Sequence, residues 1–143
     1  MRVVFDTNIF ISALAIPGSL AGKAVLKIIE GEDTLLISRA LIDELLSTLA
    51  GKFSHDAEQL SRVAVNISES SEMVKTGRRL NVPEDDPDNR VLECAVAGKA
   101  DLIITGDKKM LSLKRYDRIR IITLRDYLEG AAGGKGNITF RLS

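Results

Sequence analysis

The sequence predicts an α/β fold, a central parallel sheet with helices over both of its faces. Two observations carry this. Short continuous apolar runs recur along the chain, as suits strands covered on both sides. Between them lie stretches with helical periodicity, and strand–helix alternation builds parallel sheets through right-handed crossovers.

The first run is Val3-Val4-Phe5, ended by Asp6-Thr7-Asn8. A long apolar segment, Ile9 to Ile16, forms the first helix and stops at Pro17-Gly18-Ser19, where Ser19 is placed to cap a second helix. Leu20, Ala24, Val25 and Ile28 carry that helix to Glu30. Thr34 to Ile37 is the second strand, and Ser38 caps a helix bearing Leu41, Ile42, Leu45, Leu46 and Leu49, with Gly51 as its stop. Residues 56–71 read as a more polar helix through Leu60, Val63, Ala64 and Ile67. Val82 to Asn89 is a loop with two prolines and four acids, followed by a buried helix from Val91 to Ala97. Leu102 to Thr105 is the third strand, closed by Gly106-Asp107, and Arg120 to Thr123 is the fourth. Thr123 and Asp126 resemble a capping box for a last short helix. One domain is expected over residues 1–129, with a Gly-rich, flexible tail over 130–143. Ile138 to Leu142 alternates like a strand whose partner the sequence does not assign.

Composition narrows the chemistry. The chain has 143 residues, enough for one domain with a sizeable core. Lys plus Arg and Asp plus Glu balance at 20 each, so this is no histone-like electrostatic binder. One cysteine, Cys94, and one histidine, His55, exclude an internal disulfide, a multi-cysteine zinc site and a histidine-rich metal site. Any metal must be held by oxygen, which points to magnesium, manganese or calcium. Cys94 lies in an apolar helix and reads as a small core residue, and His55 as an exposed one. The Ile9 to Ile16 run is too short to span a bilayer and does not read as a signal peptide, so a cytoplasmic location is expected. With two Tyr, four Phe and no Trp, a base-stacking platform for single strands is not expected.

In open parallel sheets, sites form beyond the carboxyl ends of the strands. Asp6 follows the first strand, Asp107 follows the third, and Asp88 sits at the mouth of the helix before that third strand. If those two strands are neighbours, the three acids converge. The helix after Ser38 offers a fourth acid, Asp43 or Glu44, on opposite sides of its apolar stripe, and helical geometry does not choose between them. Converging carboxylates repel one another unless a cation is present, and a divalent ion removes the conflict. Two such ions can clamp a phosphodiester without a histidine base. Each acid also has a plainer role: Asp6 with turn amides, Asp88 as a helix cap, Glu44 as a solvated charge, Asp107 in an Asx-turn.

Three segments carry a resemblance. Val3-Val4-Phe5-Asp6-Thr7-Asn8, Asp86-Pro87-Asp88-Asn89-Arg90-Val91-Leu92-Glu93-Cys94-Ala95 and Ala100-Asp101-Leu102-Ile103-Ile104-Thr105-Gly106-Asp107 together resemble a PIN-domain nuclease. The resemblance runs over about residues 1–129. It implies a three-layer α/β/α fold and magnesium- or manganese-dependent RNA cleavage. The family's acids fall on Asp6, Glu44, Asp88 and Asp107 as metal-holding and catalytic residues, and the resemblance selects Glu44 over Asp43. Asn8 and Thr105 fall where the family places supporting residues, and Asp86 and Asp101 are spare carboxylates for an outer shell. Asp86-Pro87-Asp88-Asn89, together with the long apolar first helix, resembles the branch grouped with toxin components of toxin–antitoxin pairs, to which VapC-type toxins are a sister group. The implied partners are an RNA substrate, expected to be single-stranded, an antitoxin protein and a second copy of the chain; no membrane partner is expected.

Phosphate binding by a net-neutral chain needs cations near the acids. Lys108, Lys109 and Arg39 are the candidates, with Arg78, Arg79 and Arg90 as further options. Two other functions compete. A phosphohydrolase of the haloacid dehalogenase type also opens on a strand ending in Asp, but it expects a second Asp where this chain has Asn8. A non-catalytic RNA- or protein-binding PIN-like module has no reason to keep four repelling acids.

Overall fold

Val3, Val4 and Phe5 are completely buried, as a strand covered on both faces requires. They belong to β1 (Arg2–Phe5) in a computed structural model that describes residues 1–16, 18–52, 57–77, 80 and 88–130. Helix α1 (Thr7–Ala15) follows, then α2 (Leu20–Ile29), β2 (Thr34–Ser38), α3 (Arg39–Lys52) and α4 (Ala57–Ser70). The second half runs β3 (Ser71–Val74), α5 (Asp88–Ala97), β4 (Leu102–Ile104), α6 (Lys108–Leu113), β5 (Arg115–Tyr116), β6 (Ile119–Ile122) and α7 (Leu124–Leu128).

The six strands form one sheet in the order β3-β2-β1-β4-β6-β5. Every pairing is parallel except β5 with β6. The expected parallel α/β architecture is therefore present, with an antiparallel strand added at one edge. Alternation along each strand divides the core. Phe5 meets the rings of Phe10 on α1 and Tyr127 on α7, at 5.7 and 5.9 Å between centroids, and with Leu35 it faces α1, α2 and α4. Leu36 points to the other face, where the end of α5 lies on it.

The expected caps are in place. Ser19 accepts from the Gly22 amide, Ser38 from Leu41 and Thr123 from Asp126. Three elements went unpredicted. β3 exposes two of its four residues and buries only Val74, α6 has six residues, and β5 has two, so none shows an apolar run or a full helical period. The tail from residue 131 onward, with the alternating Ile138 to Leu142, lies outside the described residues, as do His55, Arg78 and Arg79. No single helix among the described residues is long and apolar enough to cross a membrane.

Two polar clasps hold the amino-terminal edge of the sheet. Arg2 on β1 donates to Glu72 on β3 through both Nη atoms and to the Gly98 carbonyl, joining β1, β3 and the end of α5. Gly98 is required for that approach. A Cβ there would stand 2.8 Å from Leu36 Cδ1 and 2.9 Å from Val74 Cγ2. Asp33 forms the second clasp. It accepts from the Met1 ammonium at 2.8 Å and from the Tyr127 hydroxyl at 2.6 Å, with Lys27 at 3.7 Å.

Burial opposes the charged form of Asp33, but the ammonium, the hydroxyl and Lys27 outweigh it and hold its carboxyl below the usual range. A depressed folded value gives stability that is present above the unfolded pKa of roughly 3.9 and is lost as pH falls through the folded one. Asp33→Asn is therefore expected to lower stability at neutral pH by about 1–3 kcal/mol. It should also flatten the decline below about pH 4. Urea unfolding of both proteins at pH 7 and pH 3 measures this.

Candidate active site

Pairing of β1 with β4 sets Phe5 beside Ile104, so the residues that follow both strands leave the sheet together. The Asp6 amide donates to the Ile104 carbonyl at 3.0 Å. Asp6 is buried, with 6% of its surface exposed, and caps α1 by accepting the Asn8 amide on Oδ1 at 3.1 Å. Its Oδ2 accepts the Thr105 hydroxyl at 2.8 Å. Thr105 Oγ1 in turn accepts the Asp107 amide at 3.0 Å. Asp107 caps α6, accepting from Met110 at 3.0 Å. Asp6, Thr105 and Asp107 thus form one hydrogen-bonded chain across the ends of neighbouring strands. The plainer capping roles of Asp6 and Asp107 are realised, yet both carboxylates keep acceptor directions to spare, since each offers about four.

The third acid reaches this centre through Thr7, the first residue of α1. The Thr7 hydroxyl donates to Glu44 Oε2 at 2.8 Å, and Glu44 is half-buried on α3. Asp43 faces solvent and pairs with Arg39 at 3.4 Å. The side chain of Asp88 lies outside the described residues; its backbone opens α5. Among the described residues no Lys or Arg pairs with Asp6, Glu44 or Asp107, and no three acids stand close enough to hold an ion by themselves.

The donor chemistry fits a hard cation. The groups here offer oxygen donors, and Asp6 and Glu44 are oriented by threonine hydroxyls, the kind of support that fixes metal ligands. Thr7 went unrecognised in the sequence. Its signal was a hydroxyl in the first turn of a helix, between two residues already singled out.

Other residues fall elsewhere. Asp101 precedes β4 and accepts the Arg2 amide at 2.8 Å, so it sits at the amino end of the strand that carries Asp107 at its carboxyl end. It is a strand-start cap, and the expected outer-shell role is corrected. Asp86 lies outside the described residues. Arg90 is not an open phosphate ligand: its Nη2 is bound to Glu93 at 2.8 Å and approaches the Leu80 carbonyl at 3.4 Å. Lys108 and Lys109 are exposed in the first turn of α6, beside Asp107, and Arg39 is exposed at the start of α3. Cys94 is a core residue. Burial pushes its thiol up to about 12, against a hydrogen bond with Ser38 that lowers it. A disulfide reagent at pH 8 should therefore label native protein at least about a hundredfold more slowly than protein in guanidinium.

The PIN-domain family profile matches residues 2–109. The uncharacterized protein MJ1680 of Methanocaldococcus jannaschii is 32% identical over 132 residues, covering 87% of this chain and 84% of its own. A chain of VapBC-1 from nontypeable Haemophilus influenzae superposes with a TM-score of 0.63 at 17% identity, over 87% of this chain and 99% of that one. A chain of VapBC2 from Rickettsia felis, solved with a DNA fragment from the promoter, gives 0.58 at 16% identity, over 86% and 98%. An α/β sheet with acids gathered at the carboxyl ends of adjacent strands defines the class, and the chain belongs to the PIN-domain family. Membership sets aside the haloacid dehalogenase reading.

Proposed function

We propose that this protein is a metal-dependent endoribonuclease and the toxin component of a toxin–antitoxin pair. The observation that carries the chemistry is the hydroxyl-linked set of acids, Asp6 with Thr105 and Asp107 on one side and Thr7 with Glu44 on the other. In this reading Asp6, Glu44, Asp88 and Asp107 hold one or two magnesium or manganese ions. When bound, such an ion lowers the pKa of a water and neutralises charge on the phosphate. The chain's own part is orientation. Thr105 and Thr7 fix the carboxylates, Asn8 supplies the amide that holds Asp6 Oδ1, and Lys108, Lys109 and Arg39 draw in the phosphates.

The partner reading is supported by the relatives' assemblies and by an apolar groove of about 170 Å³ between α1, α2, α4 and the sheet. Leu14 and Ile29 on its rim are 47% and 61% exposed. An amphipathic antitoxin segment would cover such a groove; a second copy of the chain would show instead as concentration-dependent dimerisation.

The test compares Glu44→Gln with Asp43→Asn in manganese-dependent cleavage of single-stranded RNA. Glu44→Gln should lose at least about tenfold, and Asp43→Asn should stay within about twofold of wild type. Equal loss in both, or loss only in Asp43→Asn, overturns the four-acid assignment. Folded wild type that neither cuts RNA nor binds manganese is a binding module.

A further inference from the structure

Next to the acidic centre lies a second concavity, of about 300 Å³, that the chemistry above does not use. Its lining combines apolar Ile9, Ala21 and Leu124 with polar Asn8, Ser12 and Arg125. Thr105 and Gly106 complete the wall. Thr105 is the residue whose hydroxyl donates to Asp6, so pocket and acids share a side chain. Asn8 and Ser12 are exposed and one helical turn apart on α1, which sets both amide and hydroxyl along the same face of that helix. Arg125, contributed by α7, makes a long and exposed pair with Glu129 at 3.9 Å, and its guanidinium is held only weakly there.

These properties select a ligand. An apolar lining with hydrogen-bond donors from both α1 and α7 suits a nucleobase that has left its stack, because one face is desolvated and the edge is read by hydrogen bonds. The volume lies at the lower end of the roughly 300–1,000 Å³ found for small-ligand pockets, which is room for one base with its sugar and not for a duplex. Arg and Asn can each pair bidentately with a purine edge, Arg with guanine O6 and N7, Asn with adenine N6 and N7. Few aromatics line the chain, so recognition here must come from edges and not from stacking.

We propose that this pocket receives one unstacked purine of the RNA strand, adjacent to the phosphate at Asp6, and that Arg125 and Asn8 set the preference for it. The proposal rests on the nuclease reading for its substrate and adds to it a sequence rule. Cleavage should occur next to a purine, and removal of Arg125 should relax that rule while the acids remain intact.

Two measurements test it. In the first, an RNA with three randomised central positions is cut by wild type, Arg125→Ala and Asn8→Ala in manganese, and the cut ends are sequenced. Wild type should favour a purine over a pyrimidine at one position beside the cut by about tenfold or more, and Arg125→Ala should bring that ratio near unity. In the second, isotope-labelled Asp6→Asn protein is titrated with the dinucleotides ApA, GpG and UpU. Amide shifts at Ile9, Ala21 and Leu124 should follow the purine dinucleotides and not UpU. Cutting with no purine preference, or with a preference that neither variant alters, overturns the pocket and leaves the nuclease. Purine-dependent shifts in a protein whose wild type cuts nothing overturn the nuclease and leave the pocket. Equal shifts with UpU, or none, overturn the purine assignment.

Discussion

Replacing Asp6 by Asn is expected to lower manganese-dependent RNA cleavage at least about a hundredfold while leaving the protein folded. Outer-shell changes at metal centres already cost about 10–100-fold, and the proposed role puts Asp6 in direct contact with the ion. The same exchange is mild for the fold. Asn is as good a helix cap as Asp, so the bond from the Asn8 amide survives. The Thr105 hydroxyl meets an amide in place of the carboxylate oxygen it now holds, a loss of about 1 kcal/mol or less after rotation. Circular dichroism melting should therefore shift by only a few degrees while the cleavage rate collapses. Calorimetric manganese titration should weaken in step with the rate. Wild-type rates in folded Asp6→Asn would remove Asp6 from the chemistry altogether.

Glu93→Ala is expected to produce the largest loss of stability, about 3 kcal/mol. Glu93 is 7% exposed and its Oε2 accepts from both Arg90 and the Leu80 amide, each at 2.8 Å. Its removal leaves the Arg90 guanidinium, 20% exposed, without its counter-charge, and strands a backbone amide. Breaking a buried pair of this kind costs roughly 3–5 kcal/mol, and the partial exposure of Arg90 places the effect at the lower end. Arg90→Met with Glu93→Leu should recover much of the loss, because an apolar pair avoids the uncompensated charge. A double-mutant cycle in urea unfolding gives the coupling directly; a coupling near zero would show that the pair is incidental. The pair also ties residue 80 to α5, because the Leu80 amide donates to Glu93.

Much of the fold was legible because its signals are local. Val3 to Phe5 and Leu102 to Ile104 are short apolar runs, and Ser19, Ser38 and Thr123 stand where caps belong. The elements that escaped have no such signature: β3 buries only Val74, and β5 exists because it pairs with β6. The site was legible in part for a topological reason. Asp6 and Asp107 could be placed by strand ends alone, once β1 and β4 are neighbours. The choice of Glu44 over Asp43 could not be made from helical periodicity, since both flank the same stripe; a single hydroxyl on another helix, that of Thr7, distinguishes their surroundings. Asp101 misled because nearness in sequence to Asp107 hides the length of a strand between them. Arg90 looked like a free cation because its partner three residues away is also part of the motif.

The Arg2 clasp has a consequence for solubility. Among the described residues β3 is an outermost strand, with Met73 48% exposed on it, and the open side of such a strand is a template for another chain. Glu72, fixed by Arg2, puts a charge on that same short border, so strand addition there must bury or displace an ion pair. That guard is electrostatic and exposed, and salt screens it. Concentrated solutions of this protein should self-associate through the β3 border at high ionic strength first, on the side of the sheet away from Asp107 and its lysines.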